Sequence, residues 1–353
     1  MRNEADNLYM RRCLELAGKA LGRTYPNPVV GSVIVNEGRI IGEGFHLKAG
    51  DAHAEVNAIE SVTDRSLLGK STLYVNLEPC SHYGRTPPCA ERIIAEGIPR
   101  VVIGTGDTSD IVAGRGAEML RDAGCEVITG VCEEESRSIN RRFFTFHEKK
   151  RPYVILKWAM SADGFIDINR PPGSPVEPYW ITGMTERVLV HRWRATEQVI
   201  VAGGGTVRTD NPALNVRYWA GPDPVKVIIS RSGRLDSTSR VFQGDSGVLL
   251  FTTGTDLSFP GTRVFTISGR QKDTADEVLE TLYNLGYQSV FIEGGRKVLD
   301  MFIGSGKWDE ARIFRGFASW GEGLPAPAIS GRKESITHFK GSLLETIHNE
   351  DIR

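Results

Sequence analysis

The chain has 353 residues, of which 40% are hydrophobic and 25% are charged, and its formal net charge at pH 7 is −1. The length suggests about two domains, and the composition is typical of a globular protein. The small net charge argues against nonspecific collection of nucleic acid, and no apolar run reaches the roughly 20 residues that span a bilayer. We therefore expect small-molecule ligands, with no nucleic-acid or membrane partner.

Helices and strands are predicted to alternate in the first half. Apolar residues recur at helical spacing over 7–21, and two strands, 29–36 and 39–43, flank a turn at Glu37-Gly38. The elements predicted after them are a helix from His53 to Ile59, a strand 71–76, a helix 88–96, a strand 100–104, a helix 114–123, a strand 126–129 and a helix 132–142. This alternation predicts a three-layer α/β/α domain.

A charged segment, 147–152, ends in Pro152 and is predicted to link domains 1–150 and 151–353. The second domain is also predicted to be α/β, with strands at 153–160, 198–202, 225–230, 247–252 and 289–293 and helices at 185–195, 274–285 and 296–303. Two strands lead into glycine runs, Gly203–Gly205 and Gly294-Gly295. Bare backbone N–H groups there favour a nucleotide phosphate, without indicating which nucleotide.

One histidine and two cysteines give the strongest functional signal. His53 lies two residues before Glu55, and eight residues separate Cys80 from Cys89. Lone cysteines are more often inert packing residues, but an imidazole and two thiolates leave the fourth position of a tetrahedral zinc ion open, as in catalytic sites. Glu55 is not needed as a ligand and is free to carry protons. The H-x-E…P-C pattern is the signature of zinc-dependent nucleobase deaminases, which usually have two residues between the cysteines.

Further motifs surround these residues: Pro26–Gly31, His46 and the insertion Ser81–Pro88 between the cysteines. Together they resemble the deaminase half of the bifunctional riboflavin-biosynthesis deaminase–reductases. The pattern Ser-His-x-Gly-(Arg/Lys)-Thr-Pro-Pro separates this family from cytidine, guanine and tRNA-adenosine deaminases. The chain departs from the family at 107–110, where Asp-Thr-Ser-Asp replaces Asp-Pro-Asn-Pro.

The resemblance implies a substrate and a role for each match. The family removes the 2-amino group of 2,5-diamino-6-ribosylamino-4(3H)-pyrimidinone 5′-phosphate as ammonia. The implied zinc ligands are His53, Cys80 and Cys89, and Glu55 is the implied catalytic proton carrier. The matches that would bind the pyrimidine or the ribose phosphate are Asn27, His46, His82 and Arg85.

Motifs of the second half resemble the reductase half of the same family. They are Lys157–Gly164, Trp180–Gly183, His191–Ala195, Gly205–Arg217 and Glu293–Gly295. The resemblance implies a fold like that of dihydrofolate reductase. It also implies a reaction in which NADPH is used to reduce the ribosyl group of 5-amino-6-ribosylaminouracil 5′-phosphate to ribityl. Departures from the family pattern occur at Pro178, Asn211 and the stretch Phe317–Pro327.

Roles in the reductase follow position by position from the resemblance. The substrate would contact Arg194 and Arg217 through its phosphate, Lys157 near its ribose, and Leu214 and Glu293 in the pocket. NADPH would contact Trp180, Thr206 and Asp210, with Gly294 and Gly295 near its phosphates. Asp210, the implied group that orients or protonates the opening sugar, and Lys157 are the implied catalytic residues of the reductase.

Several alternatives stay open. Asn27 could be an ordinary turn asparagine, and Lys157 could simply extend its amine from an apolar strand. One half could be active while the other is retained as a structural or nucleotide-binding domain, or the whole chain could be a nucleotide-binding regulator.

Five cysteines, an odd and small number, fit a reducing cytoplasm, and the first residues lack the apolar core of a signal peptide. We therefore expect a cytoplasmic protein. The family resemblance implies a homo-oligomer, either a dimer or a tetramer.

Overall fold

The computed structural model describes residues 4–83, 87–108, 114–171, 173–175, 177, 179–255 and 257–350. The chain divides into two compact units, Met1–Lys150 and Arg151–Arg353. Within the described part of the chain, every helix is too short or too polar to cross a lipid bilayer.

The first unit is built around a five-stranded sheet. Its strands are β1 (Gly31–Asn36), β2 (Arg39–Phe45), β3 (Thr72–Leu77), β4 (Arg100–Thr105) and β5 (Glu126–Thr129), in the spatial order β2-β1-β3-β4-β5. Strand β1 pairs antiparallel with β2 and β3, whereas β3, β4 and β5 are mutually parallel. The helices are α1 (Glu4–Gly18), α2 (Ala54–Glu60), α3 (Cys89–Ala95), α4 (Arg115–Asp122), α5 (Glu133–Ile139) and α6 (Arg141–Lys149).

Alternating side chains of β1 contact helices on opposite faces of this sheet. Val33 packs in one buried cluster with Met10 of α1, whereas Ile34 packs in another with Ala58 of α2 and Ile93 of α3. Because successive strand residues point to opposite faces, this pattern produces an α/β/α sandwich. The predicted three-layer fold is confirmed.

Two local predictions for the end of this unit are wrong. The segment predicted as one helix over 132–142 is divided between α5 and α6 at Asn140, which has φ −102° and ψ 16°. The Asn140 amide accepts from the Val29 backbone N–H (2.8 Å) and donates to the Val29 carbonyl (2.9 Å), so it anchors the chain that enters β1. The predicted linker 147–152 also begins inside a helix, because α6 continues to Lys149.

The second unit contains a nine-stranded sheet. Its spatial order is β11-β10-β9-β8-β12-β6-β13-β16-β15, with strands β6 (Tyr153–Met160), β8 (Val199–Gly203), β9 (Val225–Ile229), β10 (Val248–Thr252), β11 (Thr262–Thr266), β12 (Ser289–Ile292), β13 (Glu310–Gly316), β15 (Arg332–His338) and β16 (Ser342–His348). Strands β13, β16 and β15 pair antiparallel, and the other pairs are parallel. Two short strands, β7 (Phe165–Asp167) and β14 (Leu324–Pro325), form a separate ribbon.

Helices cover both faces of the parallel part of this sheet. They are α7 (Met184–Thr196), α8 (Gly204–Asp210), α9 (Gln271–Asn284) and α10 (Arg296–Gly304). Val201 of β8 packs in a buried cluster with Val278 of α9, and the next residue, Ala202, packs in the opposite cluster with Val190 of α7. The carboxyl ends of parallel strands are where such sheets place their ligands, so the ends of β8 and β12 mark the region to examine.

Candidate active sites of the two units

Three side chains of the first unit converge into one metal-binding cluster. His53 is the N-terminal cap of α2, Cys80 lies shortly after β3, and Cys89 is the first residue of α3. The Nδ1 atom of His53 lies 3.5 Å from Sγ of Cys80 and 3.3 Å from Sγ of Cys89. All three ligand atoms lie within 4.8 Å of one another. The structure therefore brings together the three residues that the sequence separates.

This cluster fits a zinc ion. Tetrahedral bonds of about 2.3 Å to sulfur and about 2.0 Å to nitrogen put the two ligand atoms roughly 3.5 Å apart, close to the separations found here. Among the described residues, the histidine, cysteine and carboxylate side chains with metal-binding spacing are these three ligands, with no fourth. Hydrogen bonding by Cys89 lowers the pKa of the Cys80 thiol to about 4, whereas the same contact and burial raise the pKa of Cys89.

Glu55 lies beside this cluster in the first turn of α2 and is 4% exposed. Its carboxyl group interacts electrostatically with Cys80 and His53 and is within hydrogen-bonding reach of Cys89. Burial raises the pKa of Glu55 to about 7, and the nearby Cys80 adds to the increase. A carboxyl group of this kind can both accept and return a proton near neutral pH.

Asn27 and His46 contact each other. Nδ1 of His46 lies 3.1 Å from the Ala52 carbonyl, which can only accept, so this nitrogen carries the proton. Nε2 therefore accepts from the Asn27 side-chain amide at 3.1 Å, and Oδ1 of Asn27 is left as the acceptor. His46 is 2% exposed, and its ring meets that of His53 edge to face at 5.4 Å. Contact of these two residues with substrate stays a prediction.

The other two residues predicted to bind the deaminase substrate lie in the insertion between the cysteines. His82 is exposed, as expected of a side chain available to a ligand. Arg85 lies outside the described residues. The substituted loop at 107–110 is described only as far as 108.

Glu78, immediately before Pro79-Cys80, is a residue whose importance the sequence analysis missed. It is 6% exposed, and its carboxylate accepts four backbone N–H groups, those of Asp107 (3.2 Å), Gly114 (3.0 Å), Gly116 (2.9 Å) and Ala117 (3.1 Å). It thereby joins the ends of β3 and β4 to the start of α4, next to a zinc ligand. The only sequence signal was an acidic residue directly before Pro-Cys.

In the second unit, Arg194 and Glu293 form a buried, bidentate ion pair. Nε and Nη2 of Arg194 donate to the two carboxylate oxygens at 2.6 and 2.8 Å, and the side chains are 12% and 9% exposed. Nζ of Lys157 lies 3.7 Å from the same carboxylate. Burial alone would raise the pKa of Glu293, but the charges of Arg194 and Lys157 overcome it and lower the pKa to about 2. The carboxylate is therefore ionised.

The segment that follows α8 lies against this ion pair. The third donor of Arg194, Nη1, bonds to the Asn215 carbonyl at 3.0 Å, and the Arg217 guanidinium donates to the Asn215 side-chain oxygen. Arg217 is exposed, so a ligand in solution can reach its side chain. Leu214 is buried and has φ +52°, a left-handed conformation that is costly for leucine. Strain of this kind is concentrated at functional sites, which supports a binding role for this segment.

Asp210, the last residue of α8, has a partly enclosed carboxylate. No described residue donates a hydrogen bond to its fully buried Oδ1 atom, and Nη2 of Arg170 lies 3.6 Å away. Burial raises the pKa of Asp210 to about 6; Arg170 opposes the increase and Asp167 adds to it. Part of the Asp210 population is therefore protonated at neutral pH, as a proton donor requires.

The residues predicted to contact NADPH lie at the two strand–glycine–helix junctions and on one exposed loop. The Thr206 hydroxyl accepts the Gly295 N–H at 2.9 Å, and a Cβ on Gly294 would lie 3.0 Å from the Gly203 nitrogen. The glycines thus permit a close approach of the two junctions at the ends of β8 and β12. The Trp180 ring is 55% exposed and lies under the Arg187 guanidinium at 4.6 Å, so its surface is available for stacking. These features fit a dinucleotide.

Two family models match the chain. Residues 3–105 match the cytidine and deoxycytidylate deaminase zinc-binding region, and residues 152–339 match the RibD C-terminal domain. The riboflavin biosynthesis protein RibD of Aquifex aeolicus is 38% identical over 92% of this chain and 90% of that protein. The protein of the same name from Bacillus amyloliquefaciens is 39% identical over 92% and 88%.

Solved structures agree with these matches. A diaminohydroxyphosphoribosylaminopyrimidine deaminase/5-amino-6-(5-phosphoribosylamino)uracil reductase from Thermotoga maritima has a TM-score of 0.89 and 37% identity, covering 98% of this chain and 99% of that chain. The similarity therefore extends over both compact units and over the segments that carry the two candidate sites.

Proposed function

Because this chain belongs to the RibD family of riboflavin-biosynthesis deaminase–reductases, we propose that Met1–Lys150 carries out the deamination and Arg151–Arg353 the reduction. The chain is an enzyme of riboflavin biosynthesis that uses zinc and NADPH. The observation that carries the deaminase assignment is the three-ligand cluster with Glu55 buried beside it.

In the first reaction we propose that the 2-amino group of 2,5-diamino-6-ribosylamino-4(3H)-pyrimidinone 5′-phosphate is replaced by oxygen. A C–O bond forms from water, the C–N bond breaks, and the nitrogen leaves as ammonia. His53, Cys80 and Cys89 would hold the zinc ion, which would lower the pKa of water enough to supply a nucleophile near neutral pH. Glu55 accepts a proton from the water and delivers it to the departing nitrogen. The side-chain oxygen of Asn27, whose amide nitrogen donates to His46, would accept a hydrogen bond from the substrate.

The variant Glu55→Gln tests this role because it keeps the size of the side chain and removes its ability to carry a proton. We expect zinc to be retained, ammonia release to fall by about 10²–10⁴-fold, and NADPH-dependent reduction of the deaminated compound to continue. Removal of zinc with a chelator should likewise stop only ammonia release. Normal deamination by Glu55→Gln would eliminate the proton-carrier role.

In the second reaction we propose that the ribosyl group of 5-amino-6-ribosylaminouracil 5′-phosphate is reduced to ribityl. Asp210 would give a proton to the ring oxygen as its bond to the anomeric carbon breaks, and bound NADPH would supply the hydride that this carbon takes up. Lys157 and Glu293 hold the ribose, and Arg217 binds the phosphate with its free guanidinium donors. Consumption of NADPH with the deaminated compound, measured at the nicotinamide absorbance band, tests this assignment.

We also propose that the protein acts in the cytoplasm as a homo-oligomer. Each of the five cysteines lies in a described segment and is outside any disulfide bond, which fits a reducing compartment. Light scattering coupled to size-exclusion chromatography measures the mass of the assembly against the 38.9 kDa chain, and a monomer at working concentration would contradict the proposal.

A further inference from the structure

Helix α7 holds the segment 215–217 at two points. His191 and Arg194, one helical turn apart, lie on the same face of the helix. Arg194 donates to the Asn215 carbonyl at 3.0 Å, and Nδ1 of His191 accepts the Arg217 backbone N–H at 2.9 Å. His191 is 4% exposed, and its ring meets the Tyr218 ring at 4.8 Å, nearly edge to face. The His191 ring is thus held both by the Arg217 backbone N–H and by the Tyr218 ring.

The hydrogen bond determines the protonation state of the ring. A backbone N–H can only donate, so Nδ1 must carry a lone pair and the proton of the neutral imidazole lies on Nε2. Burial and the positive charges of Arg194, Arg217 and Lys157 lower the pKa of His191 to about 4, although Glu293 opposes them. The acceptor is therefore present throughout the neutral pH range.

Arg217 needs such an anchor. It lies between α8 and β9, in a segment without helix or strand, and its side chain is exposed. Within the described residues, its side chain donates a hydrogen bond to Asn215 and interacts with Tyr218, whose ring centre lies 5.7 Å from the guanidinium. A clamp for a phosphate must be held in a defined direction, because small displacements of binding groups reduce their contribution strongly.

We propose that His191 is a positioning residue of the reductase, which fixes the direction of the Arg217 guanidinium toward the substrate phosphate by accepting the Arg217 backbone N–H. This inference rests on the phosphate-binding role proposed for Arg217. His191 acts through Arg217 and takes no part in the chemistry. It therefore affects the KM for the phosphorylated substrate and leaves the KM for NADPH and kcat unchanged.

Three substitutions separate the functions of the ring. His191→Asn keeps an acceptor at the position of Nδ1, His191→Gln places its amide near Nε2, and His191→Phe keeps only the ring packing against Tyr218. We expect the phenylalanine and glutamine variants to raise the substrate KM on the order of tenfold, with kcat and the NADPH KM within about twofold of wild type. The asparagine variant should restore the KM to within about threefold.

An unchanged substrate KM in His191→Phe would overturn the inference. So would a KM in His191→Asn as high as in His191→Phe while both variants melt at the wild-type temperature. A better KM for the glutamine than for the asparagine variant would also overturn it, because Nε2 would then be the working atom.

Arg217→Ala distinguishes failure of this inference from failure of the proposed function. If Arg217→Ala leaves the substrate KM unchanged, the clamp itself is wrong. If it raises the KM while His191→Phe does not, only the positioning role is wrong. The double variant should be no worse than Arg217→Ala alone, since His191 acts through the residue that has been removed. Additive losses would show that His191 acts independently.

Discussion

Replacing Arg194 with methionine is expected to lower the free energy of unfolding of the second unit by about 3–5 kcal/mol at pH 7. The substitution removes both hydrogen bonds to the Glu293 carboxylate and leaves Lys157, at 3.7 Å, as its nearest cation. With only 9% of the Glu293 side chain exposed, water cannot replace the lost donors. The loss is therefore that of an uncompensated buried charge.

The pH dependence gives a second measure of the same energy. In the native protein the pKa of Glu293 is lowered from 4.5 to about 2, which corresponds to about 3 kcal/mol. A lowered carboxyl pKa contributes stability that is complete above the unfolded pKa and is lost as pH falls toward the folded one. The destabilisation by Arg194→Met should therefore be largest at pH 7 and should shrink between about pH 4.5 and pH 2.

Denaturant unfolding followed by tryptophan fluorescence measures this loss selectively. All six tryptophans lie in the second unit, so the signal does not report on the first. The control is Arg270→Met, which breaks a pair with Asp273 whose arginine is 70% exposed and should cost no more than about 0.5 kcal/mol. Replacing both Arg194 and Glu293 with methionine should recover much of the stability. A loss below 1 kcal/mol for Arg194→Met at pH 7, or the same loss at pH 3, would refute the argument.

Two further predictions concern catalysis. Because the pKa of Asp210 is raised to about 6, reductase kcat should fall as pH rises through that value. Arg170→Gln removes a positive charge 3.6 Å away, so it should move this alkaline limb of the pH–rate profile to higher pH. A pH–rate profile measures both effects, and an Asp210→Asn variant that keeps the limb would assign it to another group. Glu78→Gln replaces an oxygen that accepts two backbone N–H groups with an amide that donates, so zinc affinity should fall about 10–100-fold in a chelator competition. Unchanged zinc affinity would show that Glu78 stabilises the fold without supporting the zinc site.

The zinc cluster could be predicted from the sequence because its chemistry depends on residue type and spacing. His53, Cys80 and Cys89 each follow or begin an element with clear hydrophobic periodicity, so their convergence was predictable. The supporting contacts were not predictable. The partners of Glu78 are backbone N–H groups, and every residue other than proline has one, so no sequence pattern marks the four that it binds.

Strand prediction failed where hydrophobic alternation is absent. All seven residues of β15 are exposed, and β13 buries the charged pair Glu310 and Arg312, whose Oε1 and Nε atoms are 2.6 Å apart. These strands exist because they extend the sheet from β6 through β13 and β16, a tertiary reason that local composition does not carry. The bounds of helix α8 could not be predicted for a different reason: it begins with Gly204 and Gly205, which disfavour helix by propensity.

The two arginines assigned to the substrate phosphate by resemblance differ in what they can offer it. Arg194 has three of its five donors occupied by Glu293 and Asn215, and its charge is neutralised by the carboxylate that it holds. Within the described residues, the Arg217 guanidinium donates to neutral Asn215 and interacts with Tyr218, and neither partner is a carboxylate. A dianionic phosphate is attracted by uncompensated charge, so Arg217 should provide most of the binding energy while Arg194 orients Glu293 and the segment beneath Arg217. The resemblance assigns both arginines to the substrate phosphate, and only the observed contacts distinguish the role of one from that of the other.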